Sequence, residues 1–261
     1  MWKEACFCLL TIKFSPVFLI RQPDGCHLPL AGRYKGCGMH KGGIPLEHKR
    51  LTLFAGHYGS GKTNIAVNYA LALAKEGKKV CIADLDIVNP YFRTADSKQV
   101  LEEAGIDLVS PQYANSNVDL PALPAASYRL VQDKSTFGVM DIGGDDRGAY
   151  ALGRFTPYIL EENDYRMAFV FNGFRPLTQT AEDALEIMRE IEAACGLQFT
   201  CIVNNSNLGS ETTKELFLET EAVTKKLCEL SGLPLWLNTA ESKVAKDIPG
   251  AFPLNLQKKI F

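Results

Sequence analysis

Leu51-Thr52-Leu53-Phe54-Ala55 runs directly into Gly56-His57-Tyr58-Gly59-Ser60-Gly61-Lys62-Thr63-Asn64. An apolar run that stops at a glycine, then G-x-x-x-x-G-K-T, then an alanine-rich helical pattern, is the strand, loop and helix setting of a phosphate-binding loop. Polyphosphate carries several negative charges. A loop whose successive backbone N–H groups point inward binds them only where the chain passes very close, and a Cβ at Gly59 or Gly61 hinders that approach. The pattern therefore assigns the whole stretch Gly56, His57, Tyr58, Gly59, Ser60, Gly61, Lys62, Thr63 and Asn64 to a nucleotide's phosphates. Lys62 reaches the β- and γ-phosphates, and the Thr63 hydroxyl ligates Mg²⁺. The helix that starts there adds its positive N-terminal end.

Downstream of the loop, Ile65, Ala66, Tyr69, Ala70, Leu73 and Ala74 recur at helical spacing, with Gly77 where a C-terminal cap belongs. Lys79 to Ala83 reads as a buried strand that ends in Asp84-Leu85-Asp86-Ile87-Val88-Asn89-Pro90. Two carboxylates at i and i+2 on an extended end point the same way. At the carboxyl edge of a parallel strand that direction is toward bound phosphate; capping of the turn before Pro90 is the plainer alternative for either aspartate. A second apolar strand, Thr136 to Met140, ends in Asp141-Ile142-Gly143-Gly144. D-x-x-G is common in turns. Third in order behind a phosphate loop and a D-L-D strand end, it marks Asp141 for the Mg²⁺ shell and Gly144 for a backbone N–H that approaches the terminal phosphate and swings away when it leaves.

Shorter elements fill the remainder: a helix near Ser97–Ala104, a strand at Ile106–Val109, and a helix within Ala122 to Val131. Next come a strand Arg166–Phe171 leading into Asn172-Gly173-Phe174-Arg175-Pro176, and a helix with Thr180 as N-cap and Gly196 after its end. A strand Phe199–Val203 runs into Asn204-Asn205-Ser206-Asn207, a single helix spans about Thr212 to Leu230, a strand covers Leu233–Leu237, and the tail from Phe252 lies on the body. Strands alternating with helices call for an α/β fold: three layers, a mostly parallel sheet flanked by helices.

The 261 residues suffice for one large domain, with 46% hydrophobic and 22% charged residues as in soluble globular proteins. Residues 1–50 hold eight Lys/Arg against three Asp/Glu, leaving twenty against twenty-seven in the remainder, so the body is acidic and no nucleic-acid surface is expected. Eight cysteines lack the C-x-x-C spacing of metal or redox sites, which suits buried or free thiols in a reducing cytoplasm. No apolar run is long enough to span a bilayer.

The series G-H-Y-G-S-G-K-T, D-L-D-I-V-N-P and D-I-G-G, in this order from Leu51 to Leu237, resembles the MinD/ParA group of phosphate-loop ATPases and the CobQ/CobB-type nucleotide-binding domains. The resemblance implies that Lys62 and Thr63 bind phosphate and Mg²⁺, that Asp84 and Asp141 support the metal, and that Asp86 positions or activates the attacking water, making Lys62 and Asp86 the catalytic pair. It also implies a hydrolysing ATPase that switches its hold on a protein partner. Two alternatives stay open: a ligase or kinase acting on a small carboxylate, for which Arg175 is the candidate anion contact, and a nucleotide sensor without turnover. Related GTPases read guanine with N-K-x-D after a late strand. Here Asn204-Asn205-Ser206-Asn207 offers neither lysine nor carboxylate, so ATP is expected, with the Asn204 amide at the adenine edge. MinD and ParA carry an early loop lysine that reaches across a homodimer to the partner's nucleotide. His57 stands in its place, so a homodimer, if formed, uses another device. The basic amphipathic C-terminal helix that anchors MinD to membrane has no counterpart either, because Phe252-Pro253-Leu254-Asn255-Leu256 alternates like a strand.

Residues 1–48 lack either period, and Gly, Pro, Cys and His crowd between Gln22 and His48. They are expected to form an appendage, with 49–261 as the nucleotide-binding domain. Lys35-Gly36 is encoded by AAR-GGN, purine-rich and suited to a ribosome-binding site just ahead of Met39, so native translation is expected to start there, leaving residues 1–38 untranslated; the alternative is a genuine N-terminal extension that serves as a partner-binding arm. Intact-mass measurement of the native protein is expected to give a chain beginning at Met39; a chain beginning at Met1 overturns this expectation.

Overall fold

In a parallel sheet covered on both faces, alternate residues of each strand feed different cores, which makes the strands apolar throughout rather than one residue in two. The structure, a computed structural model, describes residues 47–85, 94–109, 125–144 and 146–256. In chain order its elements are β1 (Leu51–Ala55), α1 (Lys62–Lys75), β2 (Val80–Leu85), α2 (Lys98–Glu103), β3 (Asp107–Val109), α3 (Arg129–Gln132), β4 (Phe137–Ile142), α4 (Asp146–Gly153) and α5 (Thr156–Glu162). There follow β5 (Tyr165–Phe171), α6 (Ala181–Cys195), β6 (Cys201–Asn204), α7 (Lys214–Glu219), α8 (Glu221–Ser231), β7 (Leu235–Glu241), α9 (Ser242–Ala245) and β8 (Phe252–Leu254).

The sheet runs β3-β2-β4-β1-β5-β6-β7-β8, and each pairing is parallel. Leu51, Leu53, Ala83, Met140 and Phe169 point to one core, shared with Leu152, Ile159, Met188 and Leu227 from α4, α5, α6 and α8. Phe54, Ile82, Val139 and Val170 point to the other, shared with Ile65, Tyr69 and Leu73 of α1. This is the expected three-layer α/β arrangement. β1 lies between β4 and β5, so the chain leaves its carboxyl end toward both sides of the sheet, where such folds open a crevice.

Most elements lie where the periodicity puts them. Thr180 caps α6, its hydroxyl accepting the Asp183 N–H at 3.1 Å, and Gly196 ends that helix at φ 71°. The single helix expected from Thr212 to Leu230 is instead two, broken at Thr220. The Thr220 backbone N–H and hydroxyl both donate to the Phe217 carbonyl, at 3.1 and 2.8 Å, which tightens the chain while Phe217 fills a separate small core with Ala240, Ala245 and Ile248. β7 extends to Glu241, beyond the expected Leu237, because β8 pairs with its far end through Thr239, Ala240 and Glu241. α3 occupies only the end of the expected Ala122–Val131 helix, preceded by a tight turn at Ala125–Tyr128; residues 122–124 lie outside the described residues. The Asn68 amide of α1 donates to the Asn255 carbonyl at 3.0 Å and accepts the Asn255 N–H at 2.9 Å, fixing the chain just after β8 to the loop helix.

Glu47 and His48 rest on the body, His48 bonding to Glu76 at 2.9 Å and Glu47 accepting from Arg166 at 3.2 Å. The thiols of Cys81, Cys195, Cys201 and Cys228 are buried, and burial pushes that of Cys201 up to about 12. The other four cysteines lie outside the described residues. Among the described residues no helix is long and apolar enough to cross a membrane.

One ion pair ties the sheet's amino edge to the helical layer. Arg50, with its side chain 7% exposed, makes a two-armed contact to Glu162 at the end of α5 and donates to the carbonyls of Leu130 and Thr136 at 2.8 and 3.0 Å. Burial works to raise the Glu162 carboxyl, but hydrogen bonds and charge from Arg50 and Lys134 outweigh it and hold it below the ordinary value of 4.5. A carboxylate depressed on folding stabilises fully above its unfolded pKa and loses that contribution as pH falls through its folded one. Arg50→Met leaves the half-buried Glu162 with Lys134 alone and the Leu130 and Thr136 carbonyls without their donor, and is expected to cost about 1–3 kcal/mol in chemical denaturation. The stability gap between wild type and Glu162→Gln is expected to be widest above pH 4.5 and to close below it. A gap independent of pH removes Glu162 from this role.

Candidate functional site

Gly61 carries the turn from loop to helix. Its φ of +93° is the left-handed conformation at the N-cap of α1, and a Cβ there would stand 2.2 Å from the Asn205 amide nitrogen. No side chain caps the helix and no acidic residue stands in its first turn, so the positive end of a 14-residue helix faces the loop. The Lys62 ammonium arches back to donate to the His57 carbonyl at 3.2 Å, and that same carbonyl accepts the Ser60 N–H at 3.2 Å.

Asp84 and Asp141 are register partners on β2 and β4, and alternation places both on the α1 face of the sheet, at its carboxyl edge. They are 3% and 0% exposed, and the Thr94 hydroxyl donates to Asp141 at 3.0 Å. Gly144 reaches the loop itself: a Cβ there would stand 2.7 Å from the Tyr58 nitrogen and 2.9 Å from the Lys62 ammonium. The three expected motifs thus converge at one end of the sheet. Asp86 lies outside the described residues.

The asparagine run turns out to hold the loop from below. Asn204 is 1% exposed, its side-chain carbonyl taken by the Ser206 N–H at 3.1 Å and hydroxyl at 2.7 Å, and it does not line the cleft beside the loop. Asn205, also buried, donates to the Ser60 carbonyl at 2.7 Å and accepts from the Thr239 hydroxyl at 2.8 Å, so the loop hangs from β7 through one amide. Asn172, at the end of β5, accepts the Phe174 N–H at 3.1 Å and donates to the Asn207 carbonyl at 3.3 Å. Nothing local in the sequence announces these roles for Asn205 and Asn172, since they depend on partners up to 145 residues away.

The cleft over the loop has a volume of about 680 Å³, the size of a small-ligand site. Lys62, Thr63, Arg175, Asn207, Glu241 and Leu254 are among the residues that line it. His57 is held below its ordinary pKa of 6.5 by burial first, then by the charges of Lys62 and Arg175. Two carboxylates in register and a threonine hydroxyl are the hard oxygen donors that Mg²⁺ takes, so the chemistry of Asp84, Asp141 and Thr63 fits that ion.

No protein-family model and no curated protein matches the sequence. Solved structures do match the fold. The cell division protein FtsY from Thermotoga maritima has a TM-score of 0.53 at 17% identity, over 84% of this chain and 68% of that one. The signal recognition particle receptor FtsY from Elizabethkingia anophelis, in complex with GDP, has a TM-score of 0.50 at 18% identity, over 82% of this chain and 62% of that one. The 54 kDa signal recognition particle protein from Aeropyrum pernix, in complex with GDP, gives 0.49 at 18% over 78% and 44%. The chain thus spans less than two thirds of the second and third of these proteins. The likeness is one of fold.

Gly61→Ala is expected to keep the fold, because the strain is confined to one loop, yet to lose nucleotide affinity. Overpacking costs about 1–3 kcal/mol; charged to the loop's binding geometry, that is about five- to a hundredfold in affinity. Calorimetric titration with Mg²⁺ and ATP or GTP checks it, and wild-type affinity in the variant refutes the cradle.

Proposed function

We propose that this protein is a P-loop nucleoside triphosphatase whose bound nucleotide, ATP, controls its hold on a protein partner. The observation that carries this reading is the contact of Gly144 with the loop. A glycine following the Asp141 strand end lies against the Tyr58 nitrogen and the Lys62 ammonium, so a terminal phosphate seated on the loop would bear on the backbone beyond β4. Presence or loss of that phosphate is thereby felt in the segment leading into α4, the geometry of a nucleotide-dependent switch.

The roles follow from the resemblance to the MinD/ParA group together with this geometry. Lys62 and the α1 N-terminus bind the phosphates; Gly56 through Asn64 wrap them; Asp86 orients water for attack. Mg²⁺, when bound by Thr63 and by Asp84 and Asp141, neutralises phosphate charge. ATP is favoured because the stretch after β6 has neither the lysine nor the aspartate of a guanine-reading loop. A second reading, GTP, is supported by two observations. Glu241 places a carboxylate in the cleft, able to accept from a guanine ring, and the Elizabethkingia FtsY of the same fold holds GDP.

Phosphate release with ATP and with GTP decides between the two. Turnover is expected to be slow without the partner, and Lys62→Ala is expected to abolish it together with tight nucleotide binding. Asp86→Ala is expected to retain binding and lose turnover by about a hundredfold or more, as for loss of general base or water-positioning groups. Tight binding with no turnover in the wild type sinks the hydrolytic reading and leaves a sensor; faster turnover of GTP than ATP reverses the choice of base.

A further inference from the structure

The loop Asn172-Gly173-Phe174-Arg175-Pro176 has no part in the scheme above, yet it is tightly built. Asn172 is fully buried; its backbone carbonyl accepts the Arg175 N–H at 3.1 Å and the Thr178 hydroxyl at 2.7 Å, and the Arg175 carbonyl accepts the Thr178 N–H at 2.9 Å. The backbone of Arg175 is thereby fixed at the carboxyl edge of β5, next to β1.

From there the side chain lies on the phosphate loop. Its Nε donates to the Gly59 carbonyl at 2.9 Å, and its Cζ would stand 3.1 Å from a Cβ at Gly59, so the missing side chain at Gly59 is what admits the guanidinium. Among the described residues the two terminal nitrogens of Arg175 make no hydrogen bond and no carboxylate lies within ion-pair distance. The residue lines the cleft beside Lys62 and Thr63. Lys62 and Arg175 line the same cleft over the α1 N-terminus and both act on His57, a set of cationic groups that suits an anion of several charges. His57 reports the same field, its pKa lowered by burial first and then by both cations.

We propose that the Arg175 guanidinium binds the terminal phosphate of the nucleotide held by its own chain's loop, so that this protein supplies its second phosphate cation in cis. The inference rests on the triphosphatase reading above. A planar guanidinium anchored through Nε keeps its two terminal nitrogens for a bidentate grip on phosphate oxygens. It takes up the duty that a trans lysine performs where position 57 carries one, and no second copy of the chain is needed.

The test compares Arg175→Ala and Arg175→Lys with wild type by calorimetric titration of a diphosphate and a non-hydrolysable triphosphate, with Mg²⁺, of whichever base the wild type binds. A charge-assisted hydrogen bond to the terminal phosphate is expected to cost the alanine variant about tenfold or more in triphosphate affinity. Diphosphate affinity stays within about twofold, and the lysine variant recovers part of the loss. Equal losses for both nucleotides, the mark of an arginine that merely props Gly59, overturn the proposal; so does no loss for either. Mixing Arg175→Ala with Lys62→Ala separates cis from trans: hydrolysis stays low if Arg175 acts in its own chain, and recovery in the mixture overturns the assignment. Should the wild type bind neither adenine nor guanine nucleotide, the triphosphatase reading falls first and this one with it.

Discussion

The buried amide of Asn205 determines where everything else at the site can be. It bridges the Ser60 carbonyl of the loop, at 2.7 Å, and the Thr239 hydroxyl of β7, at 2.8 Å. An amide with both ends paired in a dry interior is costly to move, because any displacement leaves a donor or an acceptor without a partner. The loop is therefore set against the sheet from beneath, and the space that a Cβ at Gly61 would need is occupied by the Asn205 nitrogen. Given that anchor, the conformation around Gly59 to Lys62 is held before any ligand arrives, which lowers the cost of ordering it on binding.

Around that anchor the sheet sorts chemistry by face. Because successive residues alternate, Asp84 and Asp141 point with Ile82, Val139 and Phe54 toward α1, whereas Leu85 and Ile142 point into the opposite core. A one-residue slip of β2 against β4 would bury Leu85 where a carboxylate is needed and drive Asp84 among the side chains packed on α6. Hydrophobic pairing in register, Ile82 with Val139 and Ala83 with Met140, thus does more than hold the strands. It also brings the two carboxylates to the same height on the α1 face.

The fold and three of the site's motifs could be read from sequence because their signals are local. Loop glycines, strand-end aspartates and helix caps at Thr180 and Gly196 depend on neighbours within a few residues. What could not be read depends on partners far along the chain. Asn204 and Asn205 are chemically identical and adjacent, and alternation alone sends one toward Ser206 and the other under the loop. The break at Thr220 is of the same kind: the period continues through it, and only the demand of Phe217 for a core with Ala240 and Ile248 bends the chain there. Arg175 reads in the sequence only as a candidate contact for an anionic substrate; its place on the phosphate loop shows once Gly59 is set against it.

Charge gives the last constraint. The chain beyond residue 50 carries twenty basic against twenty-seven acidic residues, so at long range it repels a nucleotide. Screening limits that repulsion to about 8 Å at physiological ionic strength. Among the described residues that line the cleft, Lys62, Arg175 and the amino end of α1 outnumber Glu241, which is paired with Lys243 at 3.5 Å. Binding of phosphate is consequently a contact effect with little steering. It will be selective for how many phosphates reach the cations more than for the overall charge of the ligand. On the proposed reading, such a site distinguishes a triphosphate from a diphosphate by the one phosphate that Lys62, Arg175 and the Gly144 backbone would meet, the distinction that a nucleotide-controlled switch has to make.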